Sequence, residues 1–387
     1  MKILSIETSC DETSAAVIEG NRGKVKILSN VISSQIDIHK KYGGVVPEVA
    51  ARNHILNIMP VIDEALRGAN NTPLPLSRGE KLNSFPSKRG DRGVFKVDLI
   101  AVTGGPGLMS SLLIGAQSAE ILAYVWKKPL IVVNHIESHI YANWLTPISV
   151  NSKLKSQDSK KLRFPVLSLV VSGGHTELVL MRDHLKYKTV GETRDDAAGE
   201  AFDKVAKILG LGYPGGPIVS KMADLKPPLS PFLKGWKGGF KLPRPMIKNN
   251  DFDFSFSGLK TAVLYLVRKL EKEKSLNESI IAGICAEFQQ AVIDVLVHKT
   301  IATAKKYKVK SVLLAGGVAA NKELRRQIEE AVKRELGEKI VFNVPEQILC
   351  TDNAAMVGAT AYYRYMAKSS VIKVPPARIK IDPNWQL

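Results

Sequence analysis

Apolar residues along the chain fall either into short runs bounded by polar or glycine-rich turns, or into longer stretches at three- and four-residue spacing. KILSIETS and SAAVIEG read as two strands joined by the polar turn CDET, and VKILSNVISSQ as a third. VPEVAARNHILNIMPVIDEALRG has helical spacing, with Gly68 marking its end. VDLIAVTGGPG is a buried strand running into a glycine turn, SLLIGAQSAEILAYVWK a helix, and PLIVVNH the next strand. The plan then recurs. FPVLSLVVSGGHTELVLM gives a strand, a glycine turn and a strand, followed by helices near 198–210, 258–271 and 280–307. SVLLAGGVAAN, KELRRQIEEAVKREL, IVFNV and NAAMVGATAYYRYMA close it as strand, helix, strand and helix. Strands alternating with helices, with the plan used twice, predict an α/β protein of two similar lobes around a cleft. Its functional residues are expected at the strand-to-helix turns.

The 387 residues, 45% hydrophobic and 24% charged, suffice for a large core. Cys10, Cys285 and Cys350 are too few and too scattered for a disulfide framework or a Cys-x-x-Cys zinc site, so a reducing cytosol is the expected setting. MKILSIETSC reaches a glutamate at residue 7 with no signal-peptide core, and no uninterrupted apolar run elsewhere reads as a bilayer span. A cytoplasmic protein with no membrane contact follows as an expectation. The formal charge of +18 points to a polyanionic partner, nucleic acid or a nucleotide-like substrate. Part of that excess sits in two Pro/Gly-rich basic segments, 73–96 and 227–241, which share P-L-S near their start and G-x-F-K at their end. Lacking any period, both read as low-complexity loops inserted into the plan.

NHIESHIYANW supplies the first candidate chemistry. On a helix, His135 and His139 lie one turn apart on one face, close enough to share a metal ion if a third ligand arrives from elsewhere; otherwise they are a pair of polar helix residues. Three turns have the makings of a nucleotide site. ETSCDETS offers hydroxyls and the carboxylates of Asp11 and Glu12, VVSGGHTEL the backbone N–H groups of Gly173 and Gly174, and LAGGVAAN the start of a helix. Singly, such glycines are ordinary turn residues. All three together, in two repeated halves, match the pattern of the actin-like ATPase (ASKHA) fold, in which turns from both lobes grip a nucleotide.

At SGGHTEL, DDAAGEAFDKVAKILGLGYPGGP, DFSFSGLKT and CTDNAAM the chain closely resembles the tRNA N6-adenosine threonylcarbamoyltransferases, the TsaD family, earlier labelled O-sialoglycoprotein endopeptidases, and most nearly their bacterial form. The resemblance covers nearly the whole chain apart from the two basic segments and about the last fifteen residues. It implies that His135, His139 and Asp352 hold one divalent metal in a nucleotide/metal cleft; the donor set suits iron(II) or zinc alike, and the family points to iron. Glu137, a third of a turn off the shared face, is expected behind the ligands or in solvent, and His175 near metal, phosphate or neither. The family's substrate positions carry over to Val170, Val171, Ser172, Gly173, Gly174, Asp203, Gly216 and Asn321. Asp203 suits a ribose hydroxyl pair, Gly216 a close backbone approach, and Asn321 an adenine edge or ribose. Lys260 faces phosphate or solvent.

The reaction implied is transfer of a threonylcarbamoyl group from threonylcarbamoyl-AMP to N6 of the adenosine 3′ of the anticodon, in tRNAs reading codons that begin with A. Asp11 or Glu12 is the candidate general base, and Gly173 and Gly174 the donors to developing charge. Implied partners are tRNA, threonylcarbamoyl-AMP, a shorter TsaB-like paralogue and a small TsaE-like P-loop ATPase, with ATP or ADP as further adenylate ligands. The expected division is an N-terminal lobe over 1–134, a C-terminal lobe over 135–370 and a tail over 371–387. Two other classes compete. A metallopeptidase would need H-E-x-x-H, whereas HIESH places its acid differently. A plain actin-like kinase or regulatory nucleotide-binding module would have the three turns and no use for the histidine pair.

Overall fold

In a computed structural model, residues 1–70, 96–146, 162–225, 241–369, 371–372 and 379–387 are described, and the chain divides into two units. One comprises Met1–Lys160 with Pro345–Leu387, the other Lys161–Val344. The parting thus falls later than the expected 134/135, and the stretch from Pro345 returns to the first unit instead of ending the second. Except for positions 96 and 241, the two basic segments lie outside the described residues.

The first unit opens with β1 (Lys2–Glu7), β2 (Glu12–Asn21) and β3 (Lys24–Ser34), an antiparallel meander. There follow α1 (Ile36–His39), α2 (Pro47–Asn70), β4 (Leu99–Gly105), α3 (Met109–Trp126), β5 (Leu130–Asn134), α4 (His135–Tyr141) and β6 (Leu145–Thr146). β4 runs parallel to β1 and β5 parallel to β4. Because strand side chains alternate between faces, Leu4, Ile6, Ala15 and Val17 all point one way, into a core closed by Ile58, Val61, Ile62 and Ala65 of α2 and Ala119 and Ala123 of α3. Gly68 does not stop α2, which continues to Asn70; a Cβ at Gly68 would lie 3.3 Å from the Ser29 side chain, so the glycine lets the helix approach β3.

The second unit repeats the design with β7 (Val166–Val171), β8 (Thr176–Asp183) and β9 (Lys186–Glu192). α5 (Ala198–Ile208), α6 (Gly215–Asp224), α7 (Ser257–Lys272) and α8 (Glu278–Tyr307) come next, then β10 (Ser311–Ala315), α9 (Lys322–Leu336) and β11 (Val341–Asn343). β10 lies parallel to β7 and β11 parallel to β10. The strand order is β11-β10-β7-β8-β9 here and β5-β4-β1-β2-β3 within the first sheet, the same meander followed by the same two parallel strands. β9 and α6 escape the sequence pattern, since KYKTVGE is a mostly polar edge strand and α6 begins at the helix-poor Gly215-Gly216-Pro217. α8 is a core helix. It is long and apolar enough to cross a membrane, and 61% of its most apolar window is instead buried inside the protein.

The chain returns to the first unit as α10 (Gln347–Cys350), α11 (Ala354–Met366) and β12 (Val371–Ile372), the last antiparallel to β5. α11 covers the sheet face opposite α2 and α3. Ser5 Oγ donates to Ala354 O at 2.6 Å, and a Cβ on Gly358 would come within 2.8 Å of Ile18. Small residues at Ala354, Ala355 and Gly358 let this helix sit close to the strands, and its leading turn brings Asp352 to the sheet's carboxyl edge.

Candidate functional site

α4 starts directly at the end of β5. Asn134 caps it, its Oδ1 accepting from the N–H groups of Ile136 at 2.8 Å and Glu137 at 3.1 Å. All seven α4 residues are buried, so the two histidines point into protein rather than solvent. Their rings meet edge to face with centroids 4.6 Å apart. Asp352 Oδ1 lies 3.4 Å from His135 Nε2 and 3.2 Å from His139 Nε2. Among the described residues these three form the one His/Cys/carboxylate group able to hold a metal, their ligand atoms lying within 4.8 Å of one another.

The surroundings fit a cation. Among the described residues neither ring nitrogen of His139 finds a hydrogen-bond partner although both are buried, so the 3.2 Å approach to Asp352 is convergence without a bond. Burial holds His139 below the usual imidazole range, keeping it in the neutral form that ligates. His135 Nδ1 faces Glu7 Oε2 and Ser9 Oγ, each at 3.1 Å, which directs Nε2 toward Asp352. Glu7 is itself fully buried and fixed, accepting from Thr103 Oγ1 at 2.6 Å and Ser9 N at 2.5 Å. Burial alone would raise its pKa, but His135 overrides that and draws it down. Asp352 behaves alike: burial opposes its charge, and His135 and His139 hold it far below the carboxylate range. Burial also disfavours a charge on His135, yet the two carboxylates reverse this and push it well up. Glu12 is raised well above its ordinary value by burial and by the charges of Asp11 and Asp352, an excess of negative charge that a cation would relieve.

Glu7 escaped the sequence reading, which weighed Asp11 and Glu12 in the same turn. Its signal was its place as the last residue of β1, opening ETSCDETS. Asp11 is buried, and Glu12 is the first residue of β2, accepting from Ser34 Oγ at 3.2 Å. Glu137 is no solvent residue: wholly buried, it pairs with Arg364 at 2.6 Å and 2.8 Å. So committed, it cannot serve as a peptidase base.

The other expected residues all belong to the second unit. Val170 and Val171 end β7, and Ser172, Gly173 and Gly174 form the turn into β8, closed by Ser172 N donating to His175 O at 2.8 Å. A Cβ on Gly173 or Gly174 would meet nothing, so both present bare backbone to open space. Gly316, at φ +88°, tolerates no side chain, since a Cβ would lie 2.4 Å from Val171 O. Gly199 N binds Ser172 O at 3.2 Å, tying the turn to α5. Asp203 on α5 accepts from Gly215 N at 2.7 Å, and Gly216 beside it is open. Asn321 caps α9 through Leu324 N at 2.9 Å and donates to Gln289 Oε1 at 2.8 Å, so its amide already serves the protein at both ends. Lys260 faces Asp196 at 3.5 Å, and the backbone N–H of His175 donates to Ser172 Oγ at 3.1 Å.

The profile of one family, described as TsaD, tRNA N6-adenosine threonylcarbamoyltransferase, matches residues 26–78 and 92–359. Proteins of that name from Thermomicrobium roseum and Syntrophomonas wolfei are each 46% identical to the chain, over 94% and 95% of it and 92% and 93% of their own lengths. Two solved structures share the fold at TM-score 0.53. Full-length HypF in a phosphate- and nucleotide-bound form is 12% identical, and HypF of T. kodakarensis 14%. The chain, aligned over 95% and 98% of its residues, spans about half of each, 47% and 49%. A profile match over most of the length and relatives aligned nearly end to end establish that the chain belongs to the tRNA N6-adenosine threonylcarbamoyltransferase family and is an enzyme, a transferase of tRNA modification.

Proposed function

We propose that the chain transfers threonylcarbamoyl from threonylcarbamoyl-AMP to N6 of the adenosine 3′ of the anticodon, in tRNAs that read codons beginning with A, on an actin-like fold. The convergence of His135, His139 and Asp352, with His135 oriented from behind by Glu7, carries this reading over a plain kinase. We assign those three residues to one divalent metal, iron(II) or alternatively zinc, which when bound supplies Lewis acidity toward an acyl or phosphate oxygen.

The exocyclic amine of adenine is a weak nucleophile, so the mixed anhydride with AMP supplies activation by its leaving group. The open backbone at Gly173 and Gly174 suits an anionic oxygen. Asp203, Gly216 and Asn321 are assigned to the adenylate. Val170, Val171 and Ser172 shape the loop that would face it. Asp11 or Glu12 accepts the amine proton; burial and neighbouring charge make Glu12 the better proton acceptor. The target base has to leave its stack to react. A protein acting on tRNA in this way belongs in the cytoplasm.

We assign a partner to one surface. Ile55, Leu56 and Met59 of α2 and Leu113, Ile121, Tyr124 and Val125 of α3 are large, apolar and exposed, and a TsaB-like paralogue is the occupant assigned to them; a TsaE-like ATPase completes the expected set.

The test combines purified protein, the partner proteins, ATP, threonylcarbamoyl-AMP and unmodified tRNA, followed by nucleoside mass spectrometry. Threonylcarbamoyladenosine is expected. Its absence with metal-loaded protein would refute the reading. His139→Ala should lose metal and keep adenylate binding, whereas Asn321→Ala should do the reverse.

A further inference from the structure

Residues 379–387 lie beyond the family profile, which ends at 359, and yet they reach the metal-bearing helix from two sides. They dock first on the turn between β4 and α3. Asp382 N donates to Gly104 O at 2.8 Å, and Gly107 N to Pro383 O at 3.2 Å. The approach is so close that a Cβ at Gly105 would fall 1.8 Å from Asp382 O. TGGPG therefore makes a cradle for this segment, a use its glycines did not disclose as a sequence.

From that dock the segment makes two contacts toward α4. Trp385 O accepts from Asn134 Nδ2 at 2.9 Å, while the other end of the same amide caps α4. The Trp385 ring lies 6.0 Å from the guanidinium of Arg364, and Arg364 pairs with Glu137, the residue between the two histidines. α4 is only seven residues long, too short to be a stable helix by itself, so its orientation is set by what holds its ends and face.

We infer that residues 382–387 are a positioning strap: by fixing Asn134 and Arg364 they hold His135 and His139 at the separation and angle that a metal requires. The inference rests on the metal reading above. A ligand pair on a short helix loses affinity when its supporting contacts go, because the ion then has to order the helix as it binds.

Three full-length or near-full-length proteins test this: the parent, a chain ending at residue 381, and Asn134→Ser. The last keeps a side-chain oxygen suited to capping α4 and removes the donor to Trp385 O. Co²⁺ and Zn²⁺ affinities are measured by competition with a chromophoric chelator below each protein's melting temperature, together with the visible Co²⁺ spectrum. Both altered proteins are expected to bind metal roughly 10–100-fold more weakly, with a changed Co²⁺ spectrum and, for Asn134→Ser, nearly unchanged melting. Affinity within twofold of the parent and an unchanged spectrum in Asn134→Ser would overturn the strap, and they decide the matter even if the shortened chain fails to fold. A parent that binds neither metal would instead overturn the metal reading, and the strap with it.

Discussion

Glu7 shows how one residue behind a histidine sets what that imidazole can do. Its carboxylate holds His135 Nδ1 at 3.1 Å, so Glu7→Gln keeps the shape and removes the charge that fixes the tautomer. Metal affinity should fall about tenfold or more, read by chelator competition, with secondary structure unchanged by circular dichroism. Glu177 makes a separate prediction about pH. It sits on β8 opposite Glu192, and burial and that neighbour push its pKa up to about 7 from 4.5. Between those values the folded protein keeps the proton that the unfolded chain has lost, so stability falls as pH rises through this window and is lowest above it. Glu177→Gln should flatten the slope and raise stability at pH 8 by about 1–2 kcal/mol, allowing for partial exposure. Denaturant melts at pH 5 and pH 8 check this; an unchanged slope would discard it.

At the scale of the element, α11 illustrates competing effects of one methyl group. Exposed helical Gly→Ala gains up to about 1 kcal/mol in propensity. At Gly358 the added Cβ would stand 2.8 Å from Ile18 and 2.9 Å from Ser5 Oγ, inside a packed contact between helix and sheet. Overpacking of this kind costs about 1–3 kcal/mol, so the clash should win and Gly358→Ala should lower the melting temperature. A gain in stability would mean that α11 can slide outward. Most elements were legible in the sequence because their apolar spacing matched their burial: KELRRQIEEAVKREL is α9 residue for residue. β9 was not, since an edge strand exposes alternate residues and reads as polar. α2 overran Gly68 because contact with β3 outweighs the local propensity of one glycine to end a helix.

On the whole molecule, the exposed apolar residues of α2 and α3 make the clearest claim about assembly. Ile121 and Val125, 63% and 64% exposed, leave most of two large apolar side chains uncovered. Ile121→Asp should abolish co-purification with the paralogue while leaving melting nearly unchanged, because a surface charge disturbs little packing. Retained association would move the docking face elsewhere. The repeat of the strand plan, anticipated from the sequence, recurs as one five-strand order shared by the two sheets, to which the first adds β12 and β6 at its edges. The division of the chain between the units did not follow from it, because α11 leaves the linear order and packs back against β1 and β2.

Period and motif reach only as far as neighbouring residues in the chain, and within that reach the residues alone carry the α/β class, the doubled plan, the helical pairing of His135 with His139 and, through long motifs, the family. Tertiary structure decided what depends on distant segments meeting. Asp352 arrives from more than two hundred positions away to stand 3.2 Å from His139, and Arg364 neutralises Glu137. Trp385 reaches the cap of α4, and TGGPG receives Asp382. No periodicity encodes these encounters: each follows from which faces the first unit's sheet leaves for a returning helix or strap, and that is fixed only once its core has packed.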